Sequence, residues 1–167
     1  TYEWKNQDYT AVLTDNASVL SEIPHIYDYR EKGRMPAVQD QGTLGTCWAF
    51  ASLTALESAL LPEERLDFSE EHGTLHHAFS TGQNDRGDYT MSMAYLTAWQ
   101  GPVLEKDDPY NDGKSPDGLK AVKHVQEIQM IESKDFDAIK RAVYYYAGVQ
   151  SSLYLSLQDY RSKSVYY

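Results

Sequence analysis

Residues 36–61 read PAVQDQGTLGTCWAFASLTALESALL, a polar, glycine-punctuated loop that turns abruptly into an apolar run at Cys47. Ala49, Leu53, Leu56 and Leu60 recur at helical spacing and Ala51, Ala55 and Ala59 add apolar contacts, so the pattern predicts a helix over 47–61. Only Ser52, Thr54, Glu57 and Ser58 interrupt it, which predicts burial on most sides. Thr46 stands where an N-cap would, and Pro62 ends the helix because it has no N–H to donate. The chain's one cysteine is therefore expected just inside the start of a buried helix. A helix N-terminus presents unpaired N–H groups and a partial positive charge. Both favour a thiolate over a thiol, and the same N–H groups can stabilise an oxyanion formed beside the sulfur. The competing reading of a lone cysteine is a small apolar filler.

Outward from this run, Pro24 to Val38 reads as an extended segment with a turn at Gly33, and residues 1–23 as an irregular arm or leader remnant. Ser69 caps a second, short helix beginning at Glu70-Glu71. Thr81 to Asp88 is a polar loop, and Tyr89 to Trp99 a third helix closed by Gly101-Pro102. Asp107 to Gly118 is turn-rich. Val122 to Ile131 and Val149 to Leu155 read as strands, and Asp135 to Tyr146 as a helix capped by Ser133 or Asp135 and ending at Gly148. Helices early and strands late predict an α+β fold.

The bulk numbers exclude several classes. A length of 167 residues is enough for one domain with a sizeable core. A formal net charge of −10 leaves no basic surplus to neutralise phosphates, so no nucleic-acid partner is expected. No apolar stretch is long enough to span a bilayer, and the opening Thr1-Tyr2-Glu3-Trp4-Lys5 does not read as a signal peptide. A first residue of Thr rather than Met points to removal of something upstream. With one cysteine no intrachain disulfide can form, which fits a cytosolic protein or one exported by a bacterium. The 14 tyrosines are read as half-buried packing residues before a binding surface.

The segment from Pro36 to Phe50 resembles the active-site segment of papain-like cysteine peptidases: a Gln-Gly pair, a Gly two residues before the nucleophile, and Trp-Ala-Phe directly after it. The local signature C-G-[SA]-C-[WY] reads here Leu44-Gly45-Thr46-Cys47-Trp48. Leu44 removes the disulfide partner usual at that position, and Thr46 replaces Ser or Ala. Tyr27-Asp28-Tyr29-Arg30, Phe68-Ser69-Glu70-Glu71, Gly101 to Glu105 and Pro109-Tyr110 resemble further family elements in the expected order. The resemblance implies a helical left lobe plus the first strands of a β lobe, with residues 24–167 forming the N-terminal part of a peptidase domain. It implies Cys47 as nucleophile and Gln41 as the carboxamide that joins the Cys47 N–H in the oxyanion hole. Gly45 would leave room for substrate backbone and Trp48 would pack beside the cleft. Gly87 and Asp88 fall where the family binds extended substrate through two glycines. No cofactor and no metal are implied. Protein or peptide substrates are, and the wording from Tyr95 to Pro102 is similar to bacterial members at the cell surface or outside the cell.

The resemblance also implies a histidine and an asparagine about 130–150 residues after the cysteine, a position beyond Tyr167. The histidines here are His25, His72, His76, His77 and His124, none at that position. A C-terminal polypeptide of the same peptidase carrying His and Asn is therefore the expected partner. A truncated, inactive homologue serving as a papain-fold binding module is the alternative, and a transpeptidase or amidase with the same nucleophile is another. Remaining signals are weaker. Arg86-Gly87-Asp88 spells an adhesion tripeptide that arises readily by chance. His72, His76 and His77 have i, i+4 metal-ligand spacing, but a solvated surface helix is preferred. Asp107, Asp108, Asn111 and Asp112 miss the calcium-loop spacing and read as an ordinary turn.

Overall fold

The computed structural model describes residues 23–146 and 148–153. The arm over residues 1–22 and the end of the second expected strand lie outside the described residues. Four helices follow in order: α1 (Cys47–Leu60), α2 (Glu70–Leu75), α3 (Tyr89–Thr97) and α4 (Phe136–Tyr145).

Helix α1 begins at Cys47 as expected and ends one residue early. Leu61 is already extended (φ −75°, ψ 146°), the conformation that a following proline imposes on its neighbour. Ser69 caps α2 by accepting from the His72 N–H at 3.0 Å. Asp135, not Ser133, caps α4 by accepting from the Ala138 N–H at 2.9 Å. Helix α3 stops at Thr97, two residues before the expected end, and Trp99 lies in the left-handed region (φ 58°).

Helix α1 packs against α2 and α3. Leu53, Phe68, Tyr95 and Leu96 form the centre, flanked by half-buried Leu56, Leu60, Leu66, Leu104 and Val125. A second cluster, Trp48, Ala49 and Met91, sits at the N-terminal end of α1. Segment 27–34 turns at Tyr29 and is pinned to α4, with the Tyr29 hydroxyl donating to Val143 O at 2.6 Å and Tyr27 edge-on to Tyr144 at 4.9 Å. The Gly148 N–H donates to Ser58 Oγ at 2.8 Å and ties the chain after α4 back to α1.

The expected strands are not formed among the described residues. One isolated antiparallel bridge, Phe68 with Leu104, is present there. Val122 to Ile131 has the alternation of a strand, and its Val122 N–H donates to Pro102 O at 2.8 Å, but among the described residues no ladder follows from that single bond. The α+β reading is therefore represented here by its helical part.

Helix α2 also departs from expectation. It is not a solvated surface helix: Glu70, Glu71, His72, Gly73 and Thr74 are all buried. Its polar groups are tolerated because loops return their hydrogen bonds. Glu71 accepts from the Asn111 N–H at 2.9 Å, the Gly113 N–H at 2.6 Å and Gln83 Nε2 at 2.9 Å. His72 Nδ1 pairs with the Tyr95 hydroxyl at 2.7 Å, and His76 Nε2 with Ser115 Oγ at 2.8 Å.

Glu57, Glu70 and Asp108 are buried as well. Burial pushes the Glu57 carboxyl up to about 7, partly offset by the Phe68 N–H, and pushes Glu70 up to about 8, with Glu105 and Glu57 adding to the rise. In the unfolded chain these carboxyls lose their protons near 4.5. The folded chain holds the protons longer, so this stabilisation is complete below 4.5 and is lost as pH rises through about 7 and about 8. Thermal unfolding of the intact protein should show a melting temperature that falls between about pH 5 and about pH 8.5. Glu70→Gln should flatten that slope and add about 1–3 kcal/mol of stability at the alkaline end. A slope identical in wild type and variant would show that Glu70 does not carry the dependence.

Candidate active site

Cys47 is the first residue of α1 and its side chain is exposed. The filler reading of the lone cysteine is thereby excluded. The residue before it was expected to cap the helix by its side chain, and does not. Thr46 occupies the N-cap position (φ −104°, ψ 10°), yet its hydroxyl makes no bond to an α1 N–H. It pairs instead with the Tyr110 hydroxyl at 2.6 Å. The Thr46 carbonyl accepts from Ala49 N (2.9 Å) and Phe50 N (3.4 Å). Among the described residues the Cys47 and Trp48 N–H groups find no acceptor, and the first turn holds no acidic side chain. The partial positive charge of the helix end therefore stays uncompensated beside the thiol.

The loop that delivers the chain to Cys47 is built from short-range bonds. Asp40 Oδ1 accepts from the Gly42 N–H at 2.8 Å, and Gly42 adopts φ +63°. The Gln41 side chain folds back over the loop, its Nε2 donating to Leu44 O at 2.7 Å. A carboxamide nitrogen carries two hydrogens, so one N–H of Gln41 remains for another acceptor.

Gly45 is needed for a reason the sequence did not suggest. Its N–H donates to Gln83 O at 2.9 Å. A Cβ here would lie 2.5 Å from Asp85 O and 3.0 Å from Asp85 C. This chain's own backbone therefore crowds the position.

Trp48 follows Cys47 directly. It is only 5% exposed, packed with Ala49 and Met91 and edge-on to His77 at 5.6 Å. The indole is thus packed within the chain directly after the thiol-bearing residue. Gly87 is set against it: an added Cβ would lie 2.4 Å from Trp48 Nε1 and 2.6 Å from Met91 Sδ. Asp88, expected at the substrate loop, caps α3 by accepting from the Thr90 N–H at 2.8 Å. The Thr90 hydroxyl and N–H hold its carboxyl below the ordinary range. In Arg86-Gly87-Asp88 that carboxylate is thus engaged within the chain.

Among the described residues no histidine hydrogen-bonds Cys47, and no group of three or more His, Cys, Asp or Glu is placed to hold a metal ion. His72 and His76 stack at 4.2 Å, each with a ring nitrogen on a hydroxyl, and burial holds His72 down at about 4. The acidic turn closes on itself, with Asp112 Oδ1 accepting from the Lys114 N–H at 2.8 Å. The residue that spacing could not find is Tyr110. It lies 64 residues from Thr46 along the chain, and only the fold brings the two hydroxyls together.

A family model described as papain family cysteine protease matches residues 23–167. The chain is 32% identical over 147 residues to cysteine proteinase COT44 of Brassica napus, covering 84% of this chain and 43% of that protein. It is 33% identical over 155 residues to cathepsin K of Gallus gallus, covering 88% of this chain and 46% of that one. The chain thus spans less than half the length of these relatives. Among solved structures it matches the cysteine protease and lectin-like domains of Cwp84, a surface-layer-associated protein of Clostridium difficile. That match has a TM-score of 0.63 and 29% identity, and covers 71% of this chain and 29% of that one.

The close approach at Gly45 sets a test of the loop. Gly45→Ala must displace the Asp85 backbone, and should cost about 1–3 kcal/mol in denaturant unfolding. It should also slow alkylation of Cys47 by iodoacetamide. Full stability in this variant would mean that the loop at 82–86 yields freely.

Proposed function

The chain belongs to the papain family of cysteine proteases, and on that premise we propose that it is the nucleophile-bearing part of a cysteine endopeptidase. The observation that carries this reading is an exposed thiol at a helix N-terminus whose N–H groups no side chain caps. Residues 24–167 form the N-terminal part of the peptidase domain, and residues 1–23 an arm before it. A following polypeptide segment supplies the histidine and asparagine and completes the β lobe.

In this reading the Cys47 thiolate attacks the carbonyl carbon of a peptide bond, forming a C–S bond and placing negative charge on the carbonyl oxygen. The Cys47 N–H and the second N–H of Gln41 donate to that oxygen. A neutral carboxamide suits the task because it donates without competing for the proton. The C–N bond then breaks, and the histidine of the following segment, as imidazolium, gives its proton to the departing amine. Water attacks the thioester, and its proton passes to the same imidazole. The acid product leaves and the thiolate is restored. Asparagine holds the imidazole in the required orientation.

Gly87 and Asp88 would meet extended substrate through their backbone, since the Asp88 carboxylate already caps α3. Trp48, buried directly after the nucleophile, would pack beside the cleft. A bacterial, cell-surface or extracellular setting is supported by the likeness to the surface-layer-associated Cwp84 and by the absence of a second cysteine.

A thiol-reactive epoxide peptidomimetic tests the proposal on the intact protein. Labelling should be at least about tenfold faster than that of a free cysteine thiol and should vanish in Cys47→Ala. Gln41→Ala should lower kcat for a peptide amide about 10²- to 10³-fold. Labelling at the free-thiol rate would identify a non-catalytic binding module. Transfer of the acyl group to an added amine in preference to water would identify a transpeptidase.

A further inference from the structure

The Tyr110 hydroxyl touches both parts of the loop that would hold the oxyanion. It pairs with Thr46 Oγ1 at 2.6 Å and donates to Gln41 O at 3.1 Å. A phenol has one hydrogen, and a backbone carbonyl can only accept. The Tyr110 hydrogen therefore goes to Gln41 O, and the Thr46 hydrogen must go to the Tyr110 oxygen. The bonds form a directed chain from Thr46 through Tyr110 to Gln41. Its two ends flank the segment 42–45, and one end is the residue next to Cys47.

Tyr110 is itself firmly seated. Its N–H donates to Glu105 Oε1 at 2.8 Å, and the next N–H groups along the chain, at Asn111 and Gly113, donate to buried Glu71. Its ring meets Phe50, three residues into α1 from Cys47, edge-on at 4.8 Å. The phenol is therefore a fixed point to which the loop is fastened, rather than a surface group that follows it.

We propose that Tyr110 is a positioning residue for the oxyanion site, holding the Thr46 hydroxyl away from the N-terminus of α1 and the Gln41 backbone in register with it. The diversion of Thr46 matters because a threonine at an N-cap ordinarily bonds an N–H of the first turn. Bonded there, it would compensate the helix end that the oxyanion needs. With its side chain turned toward Tyr110, the hydroxyl oxygen makes no bond to an α1 N–H. The bond to Gln41 O fixes the residue whose side chain supplies the second donor.

This inference rests on the peptidase reading, and Tyr110→Phe in the intact protein separates the two. Phenylalanine keeps the edge contact with Phe50 and removes only the hydroxyl. We expect kcat for a peptide amide to fall about tenfold, as a displaced donor demands less than a deleted one, with KM changed less than about twofold. Alkylation of Cys47 by iodoacetamide, measured where the thiol is fully ionised, should stay within about twofold of wild type, because that displacement forms no oxyanion. A kcat within about twofold of wild type overturns the proposal. So does an equal fall in alkylation and hydrolysis, which would mark Tyr110 as a support of the fold alone. A wild-type protein that hydrolyses no peptide overturns the peptidase reading and this inference with it.

Discussion

Helix α1 is exposed at Cys47 and buried at the two residues that follow, and the arrangement of the site depends on that single step. Cys47 meets solvent while Trp48 and Ala49 are sealed within the protein. The indole is confined by Met91, by the edge of His77 and by Gly87, where even a methyl group would collide with it. A large rigid ring held in this way leaves little freedom in where the helix begins. The thiol one residue earlier inherits that definition although it makes few contacts of its own. The close passage of the Asp85 backbone over Gly45 defines the other side of the same step.

The second feature of the fold is an interior rich in carboxyl groups. The ion pairs among the described residues involve Arg30 with Asp28, Lys123 with Glu64 and Lys140 with Asp137, all away from the buried acids. Backbone N–H groups take the place of cations. Glu57 accepts from Phe68 N, Glu105 from Tyr110 N, and Glu71 from Asn111 N and Gly113 N. Each such bond ties an irregular segment to the helical core, and segments without strand pairing have few other ways to satisfy their backbone. The burden falls on the protonation of the group least well partnered. Glu70 is 1% exposed and has one oxygen without a hydrogen-bond partner among the described residues, which is why its carboxyl keeps a proton so far above the ordinary range. The same carboxyl-rich core seats the loop that carries Tyr110, so the stability of the interior and the order of the nucleophile loop are physically joined.

Local features were legible from the sequence to different degrees. The start of α1, the Ser69 cap and the Asp135 cap follow from residue type and neighbouring pattern, because a cap acts within one turn of its own helix. Asp88 makes the same kind of cap but was assigned to substrate, since one carboxylate serves either role and spacing does not distinguish them. The strand pattern of Val122 to Ile131 is real as alternation, yet pairing is a property of two segments and one segment cannot announce it. Helix α2 misled in the opposite way. Its charged and polar composition reads as surface, and only the returning hydrogen bonds from the loops around 83 and 110–115 allow it to be buried.

The amino-acid sequence alone determined the family, the exposed-to-apolar transition at Cys47 and the candidate pair of Cys47 with Gln41, because these lie within six residues and are set by local pattern. The tertiary structure decided what each neighbour is for. Gly45 and Gly87 each have another part of the chain lying against them, Trp48 is buried, and the Thr46 hydroxyl is paired with a tyrosine 64 residues away instead of with an α1 N–H. Contacts across such separations depend on how the chain is packed, and packing brings together groups whose distance along the sequence carries no trace of their meeting.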